Sequence, residues 1–265
     1  MTRYDFTKIK DWFKLYTAQF HSNDKNFQRN IDLKIEHSYR VWENVAELIS
    51  NIEIQDNDKL IAETAGILHD IGRFKQFEKY GTFSDKKSVN HAQLSVEVIK
   101  EKELITHLSD NEQDKILTAV FNHNKKIIPG DLSKKESLLV KVLRDADKLD
   151  ILRIVTDYYC NEDKNSNNAL QLDLPDTPSI NSLNYEDILN ERIVDLNNLE
   201  TLNDFKLLQI GWIYDLNFKY TFNILKEKGY LEVIFDTLPD TKEIKEIKEK
   251  VSHYMSEKLI EKDNL

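Results

Sequence analysis

A chain of 265 residues that is 40% hydrophobic and 32% charged can bury a sizeable core and is too apolar to be disordered. Its formal net charge of −10 repels a nucleic-acid backbone and argues against a duplex binder, while leaving room for a small phosphorylated ligand in a locally basic pocket. A single cysteine, Cys160, excludes an intrachain disulfide or a thiolate cluster; with no nucleophile signature around it, it reads as an inert core or boundary residue. No apolar run approaches the length of a membrane span, and residues 2–10 lack a signal peptide's apolar stretch, so a cytoplasmic protein is expected.

Six glycines and four prolines are few for this length, and no segment alternates as a strand does, so the expected fold is all-α. A first helix over residues 6–20 draws its apolar side from Ile9, Trp12, Phe13 and Leu15. A second, over 27–50, contains His37. The third spans 58–71 and stops at Gly72, read as a left-handed cap directly after the His69-Asp70 pair. Residues 73–87 read as an irregular connection with a short helical turn, Gly81 and Asp85 being turn residues. Asn90 caps a helix over 91–103, and a further helix over 110–122 has His123 at its end. Pro129, Gly130 and Asp131 turn the chain into a long helix over 134–159.

Beyond it, residues 162–184 are rich in Asn, Asp, Ser and Pro and read as a long surface loop. Helices are expected over 185–197, 203–228 and 242–262; the middle one carries Leu207, Ile210, Ile213, Tyr214, Phe218, Phe222 and Leu225, enough to pack on a bundle. The expected organisation is a helical core over 1–160 with the loop and C-terminal helices of 161–265 packed on it. Trp212, Tyr214 and Phe218 offer an alternative use as a homodimer face, and the charged stretch 242–250 reads as a solvated helix side.

Six residues dispersed over these helices read as one metal site assembled by folding: His37, His69, Asp70, His91, His123 and Asp147. His37 is followed on its helical face by Val41, Val45 and Leu48, and His69 is preceded by Ile61 and Ala65. His123 follows Ile116 and Val120, and Asp147 stands between Val140 and Leu143 on one side and Ile151 and Ile154 on the other. A single histidine on such a stripe is commonly a packed core residue. A carboxylate there is costly unless a cation or donors balance it, and four histidines with two aspartates make a common cation the economical explanation. Imidazole and carboxylate suit Mn, Fe, Co, Ni or Zn, with Mg admissible, as one ion or two. His21, His107 and His253 lack such settings and read as surface or packing residues.

His37, the string Gly66-Ile67-Leu68-His69-Asp70-Ile71-Gly72-Arg73, and Asp147 in Arg144-Asp145-Ala146-Asp147-Lys148-Leu149-Asp150 resemble the HD superfamily of metal-dependent phosphohydrolases. The resemblance covers about residues 30–160 and implies an HD-type helical bundle. It also implies that His37, His69, Asp70 and Asp147 bind the primary metal. Asp145 competes with Asp147 for the last place; the Ala-Asp-Lys-Leu setting favours Asp147 and leaves Asp145 or Asp150 to orient ligands. His91 and His123 resemble the two extra histidines of binuclear members, in which the doublet aspartate bridges both ions.

The implied activity is hydrolysis of a phosphate mono- or diester, with a nucleotide or other small phosphorylated metabolite as substrate. The catalytic residues expected are Asp70, orienting the nucleophile, and Arg73, reaching back to a phosphate oxygen. Arg40, Lys148 and Arg153 are further candidates for substrate recognition, and Phe77 and Tyr80 for stacking on a base. The six-residue pattern also resembles the mixed-valent di-iron oxygenases built on this scaffold, and a noncatalytic nucleotide-binding sensor is the third alternative.

Overall fold

The computed structural model describes residues 1–160 and 174–261, and every regular element among them is helical. The chain divides into two compact units, Met1–Asp150 and Ile151–Asn264.

The first unit contains α1 (Arg3–Thr17), α2 (Lys25–Ser50), α3 (Asp56–Leu68), α4 (Gly72–Tyr80), α5 (His91–Glu101), α6 (Asp110–Asn122) and the greater part of α7 (Lys134–Cys160). Helix starts follow local capping chemistry. Asp24 accepts from the amides of Asn26 and Phe27 at the head of α2, and Ser109 and Glu112 form a reciprocal capping box on α6. α3 is the central helix, packed on α1, α2 and α6, and from Ile61 to Leu68 every residue is buried. Gly66 lets α2 come close: a Cβ there would lie 3.3 Å from the Trp42 Cα.

On α2 the stripe His37, Val41, Val45, Leu48 is buried throughout. α1 buries Phe6, Ile9, Phe13 and Tyr16, but Leu15 is 68% exposed, so the apolar side of that helix runs through Phe6 and Tyr16 instead. Phe13, Tyr16 and Phe20 converge on Phe74 of α4, Phe13 and Tyr16 meeting it edge-on.

Two expectations around the His-Asp doublet change. α3 ends at Leu68, and residues 69–71 form a turn closed by Ile71 N–H on Leu68 O and Arg73 N–H on Asp70 O. Gly72 is therefore not a left-handed cap: the glycines with positive φ are Gly81 and Gly229, and Gly72 opens α4. Close approach explains it. A Cβ at residue 72 would lie 2.5 Å from Ser95 N and 2.9 Å from His91 O, so only glycine lets α4 start against the backbone of α5. Residues 73–80 are regular helix where an irregular connection was expected; the irregular part is 81–90, with a 3₁₀ turn at Asp85–Lys87.

The second unit comprises the end of α7, then α8 (Ser182–Leu189), α9 (Leu202–Gly211), α10 (Lys219–Lys228), α11 (Tyr230–Asp236) and α12 (Lys242–Ile260). The expected loop lies outside the described residues up to position 173; from 174 to 181 it is irregular, and α8 begins earlier than expected. Asp204 organises this region. Buried at the third position of α9, it accepts from Thr201 N, Glu200 N, Asn181 N and the Asn184 amide.

The expected helix over 203–228 is broken. After Gly211 the chain tightens into a 3₁₀ turn, Trp212–Asp215, and becomes extended at Leu216, where the Asn217 amide donates to Asp215 O and competes with a helical ladder. Phe218 is buried, and Tyr214 packs edge-on against Tyr254 of α12. α11, which follows the left-handed Gly229, has no counterpart among the expected elements. Cys160 is exposed rather than a core residue.

Candidate metal centre

The six residues singled out in the sequence meet inside the first unit. His37 lies on α2, His69 and Asp70 on the turn after α3, His91 at the head of α5, His123 directly after α6 and Asp147 on α7. All four histidines and Asp70 are buried.

Each imidazole is oriented through Nδ1. His69 Nδ1 donates to Gly66 O at 2.8 Å and His123 Nδ1 to Val120 O at 2.6 Å; a carbonyl only accepts, so the hydrogen sits on Nδ1. The other two use carboxylates: His37 Nδ1 donates to Asp150 Oδ2 at 2.7 Å and His91 Nδ1 to Asp85 Oδ2 at 2.6 Å. Every Nε2 therefore turns inward. His37 Nε2 and His69 Nε2 are 3.2 Å apart, and His91 Nε2 and His123 Nε2 are 3.0 Å apart.

Asp70 stands between these two pairs and presents one oxygen to each. Oδ2 lies 3.5 Å from His37 Nε2 and 3.6 Å from His69 Nε2, while Oδ1 lies 3.5 Å from His91 Nε2 and 3.9 Å from His123 Nε2. Asp147 Oδ1 adds to the first pair, at 3.2 Å from His37 Nε2 and 3.7 Å from His69 Nε2. Asp70 Oδ1 and Asp147 Oδ1 are buried without a hydrogen-bond partner. Two orphaned carboxylate oxygens facing imidazole nitrogens whose hydrogens point away form a niche rich in lone pairs. Burial makes such a niche costly, and a cation balances it. The donor atoms fit one: within each of the groups His37–His69–Asp70, His69–His123–Asp147 and Asp70–His91–His123, they lie within 4.8 Å of one another. These buried groups can hold a metal ion.

Over residues 35–152 the chain matches the HD domain family. This stretch is an HD domain. No curated protein and no solved structure matches the chain. The HD domain is an all-α fold whose members are generally metal-dependent phosphohydrolases. Among the described residues no helix is long and apolar enough to cross a membrane.

The charge state of the HD-domain site follows from burial and neighbours. Burial drives His69, His91 and His123 toward the neutral form, bringing the last two down to about 4 with help from Arg73 and His69 respectively. For His37, burial and Lys34 oppose protonation, but the Asp147 and Asp150 carboxylates beside it prevail and raise its pKa. Burial alone would raise Asp70. Lys34, His69, Arg73 and His91 outweigh it and hold the carboxyl well below the usual carboxylate range. Asp147 is likewise lowered, against burial, by His37 and His69.

Arg73 lies at the edge of the HD-domain site, its Nε 3.4 Å from Asp70 Oδ1. Its NH1 is committed to Gln76 Oε1 at 2.9 Å, Asp85 Oδ1 at 3.1 Å and the Phe83 carbonyl. Arg40 pairs with both oxygens of Asp150, at 2.6 and 3.3 Å. Phe77 stacks on Phe83 with centroids 4.6 Å apart, and Tyr80 is exposed beside Lys79.

Three participants escaped the sequence reading. Lys34 Nζ donates to Asp70 Oδ2 at 2.8 Å; its one cue was its place one turn before His37. Asp85 was legible only as a turn residue, yet it fixes His91 and receives Gln76 Nε2 at 3.0 Å. The buried Arg144 donates to the carbonyls of Asn122 at 3.2 Å and His123 at 3.1 Å, so α7 secures the end of α6.

Proposed function

We propose that this chain is a metal-dependent phosphohydrolase that cleaves a phosphate mono- or diester in a nucleotide or another small phosphorylated metabolite. The observation that carries the reading is the convergence of four inward Nε2 atoms, each with Nδ1 tied to an acceptor, on carboxylate oxygens that lack donors. His37, His69, Asp70 and Asp147 are the residues to hold the primary ion, and Asp70, His91 and His123 a second. Bound there, a divalent transition ion supplies a water of lowered pKa and neutralises charge on phosphoryl oxygens.

The chain's own contribution is positioning. Asp150, braced by Arg40, fixes the ring of His37, and Asp85, braced by Gln76 and Arg73, fixes that of His91. Lys34 and Arg73 flank the two oxygens of Asp70 and hold its carboxylate ionised. His91 and His123, neutral at pH 7, keep lone pairs at Nε2 that can serve the second ion. The Arg73 guanidinium stands beside Asp70, where it adds positive potential for a phosphate.

The test is a screen of purified protein loaded in turn with Mn, Fe, Co, Ni, Zn or Mg against nucleotides and model phosphate esters. Ester hydrolysis is expected with at least one ion, read as phosphate freed from a monoester or as monoester and alcohol freed from a diester, and Asp70→Ala is expected to abolish it; unchanged turnover in that variant contradicts the proposal. A second reading, a di-iron oxygenase, would share the feature that Asp70 serves both histidine pairs, and iron analysis separates the two. Two irons per chain with oxygen consumption and no ester hydrolysis would select it.

A further inference from the structure

The cations around the site are not equally committed. Both oxygens of Asp150 and one of Glu36 hold Arg40, and Arg73 is held by Gln76, Asp85, the Phe83 carbonyl and Asp70 itself. Lys34 differs: among the described residues its ammonium makes one ion pair, with Asp70 Oδ2 at 2.8 Å, and lies 5.4 Å from the Phe83 ring centroid. Its side chain is 16% exposed, which places it at the edge of a buried site. The same Oδ2 is the oxygen that faces His37 Nε2 and His69 Nε2.

A carboxylate oxygen that serves a divalent ion has less charge to offer an ammonium, and two cations beside one oxygen repel. Lysine can respond more readily than the arginines, because its point charge rides on a flexible four-carbon stem, whereas Arg40 is held through Nε and NH2 by Asp150 and Arg73 through NH1 by Gln76, Asp85 and the Phe83 carbonyl. We propose that Lys34 is the substrate-binding cation of this site: it balances Asp70 when the site lacks an ion and turns to a phosphoryl oxygen of the substrate when the ion is bound. This rests on the phosphohydrolase reading and gives the phosphate contact to Lys34 ahead of Arg73. It requires no proton transfer, only an exchange of one charge-assisted hydrogen bond for another.

Inorganic phosphate is the probe, titrated calorimetrically into protein loaded with Mn or Co, with ion content from elemental analysis and folding from thermal melts. Lys34→Met and Lys34→Gln are expected to retain the ion and to bind phosphate about ten- to a hundred-fold more weakly, with Lys34→Arg recovering part of the loss. The Arg73→Lys variant is expected to shift phosphate affinity less than Lys34→Met does. Wild-type phosphate affinity in ion-loaded Lys34→Met overturns the proposal, as does a variant that loses the ion but binds phosphate normally once reloaded, since Lys34 would then serve Asp70 alone. If the wild-type protein takes up no ion or hydrolyses no phosphate mono- or diester, the phosphohydrolase reading fails on its own account. A wild type that hydrolyses esters while Lys34→Met keeps its phosphate affinity and KM defeats only the role of Lys34.

Discussion

At the scale of single residues, the orientation of each imidazole is set by what its far nitrogen touches. Asp85→Asn is expected to weaken ion binding at the His91–His123 pair by about 10–100-fold while sparing the other pair, because an amide holds the ring and its tautomer less firmly than a carboxylate; a stepwise Co titration followed by absorption checks this. Protonation has a definite sign. In the ion-free protein His91 and His123 titrate near 4, against 6.5 for a free imidazole, so between those values the unfolded chain binds protons that the folded chain refuses. Their contribution is therefore fully present above pH 6.5 and lost as the pH falls toward about 4, a loss measurable as falling denaturation midpoints over that window. The six converging residues were legible because polar side chains on apolar helical stripes are conspicuous. Lys34 and Asp85 were not, since a lysine on an amphipathic helix and an aspartate in a turn are ordinary surface choices until the fold aims them inward.

At the scale of elements, the decisive contact is the head of α4 against the backbone of α5. Gly72→Ala pushes a methyl group into Ser95 N and His91 O and is expected to cost about 1–3 kcal/mol in chemical denaturation, while moving the residue that opens α5. Gly72 could be recognised in the sequence as a helix boundary, but its tight neighbour is distant along the chain, and local reasoning supplied the wrong cause. α6 presents a parallel case. Arg144→Met removes the donor shared by the Asn122 and His123 carbonyls, and the variant is expected to lose the His91–His123 ion before the other, as read by metal stoichiometry. The break after Gly211 was missed for a related reason: the apolar spacing of residues 207–225 suits a helix, and the competing hydrogen bond of Asn217 becomes apparent only once the turn exists.

For the whole molecule, all six candidate ligands belong to the first unit, with Asp147 close to its boundary at Asp150. An ion bound to the folded chain alone stabilises it by mass action, about 2.7 kcal/mol at a hundred-fold excess over Kd. Raising Mn or Co is thus expected to lift the melting temperature, and a chelator to reverse the gain. Hydrogen exchange with and without the ion is expected to concentrate protection in α2, the turn after α3, α5 and the segment following α6, leaving α8 to α12 unchanged. All-α architecture was visible in the scarcity of glycine and proline; the division at residue 150 was not, because α7 runs through it without interruption.

The divided carboxylate of Asp70 has a thermodynamic corollary. Since one side chain faces two pairs of histidines, ions bound on both flanks, as proposed, would not have independent affinities: filling either would change the electron density and the rotational freedom left for the other. Stepwise binding isotherms should therefore show a coupling free energy of equal size whichever flank is filled first, and exchanging Asp70 for a neutral residue should abolish the coupling itself along with the binding.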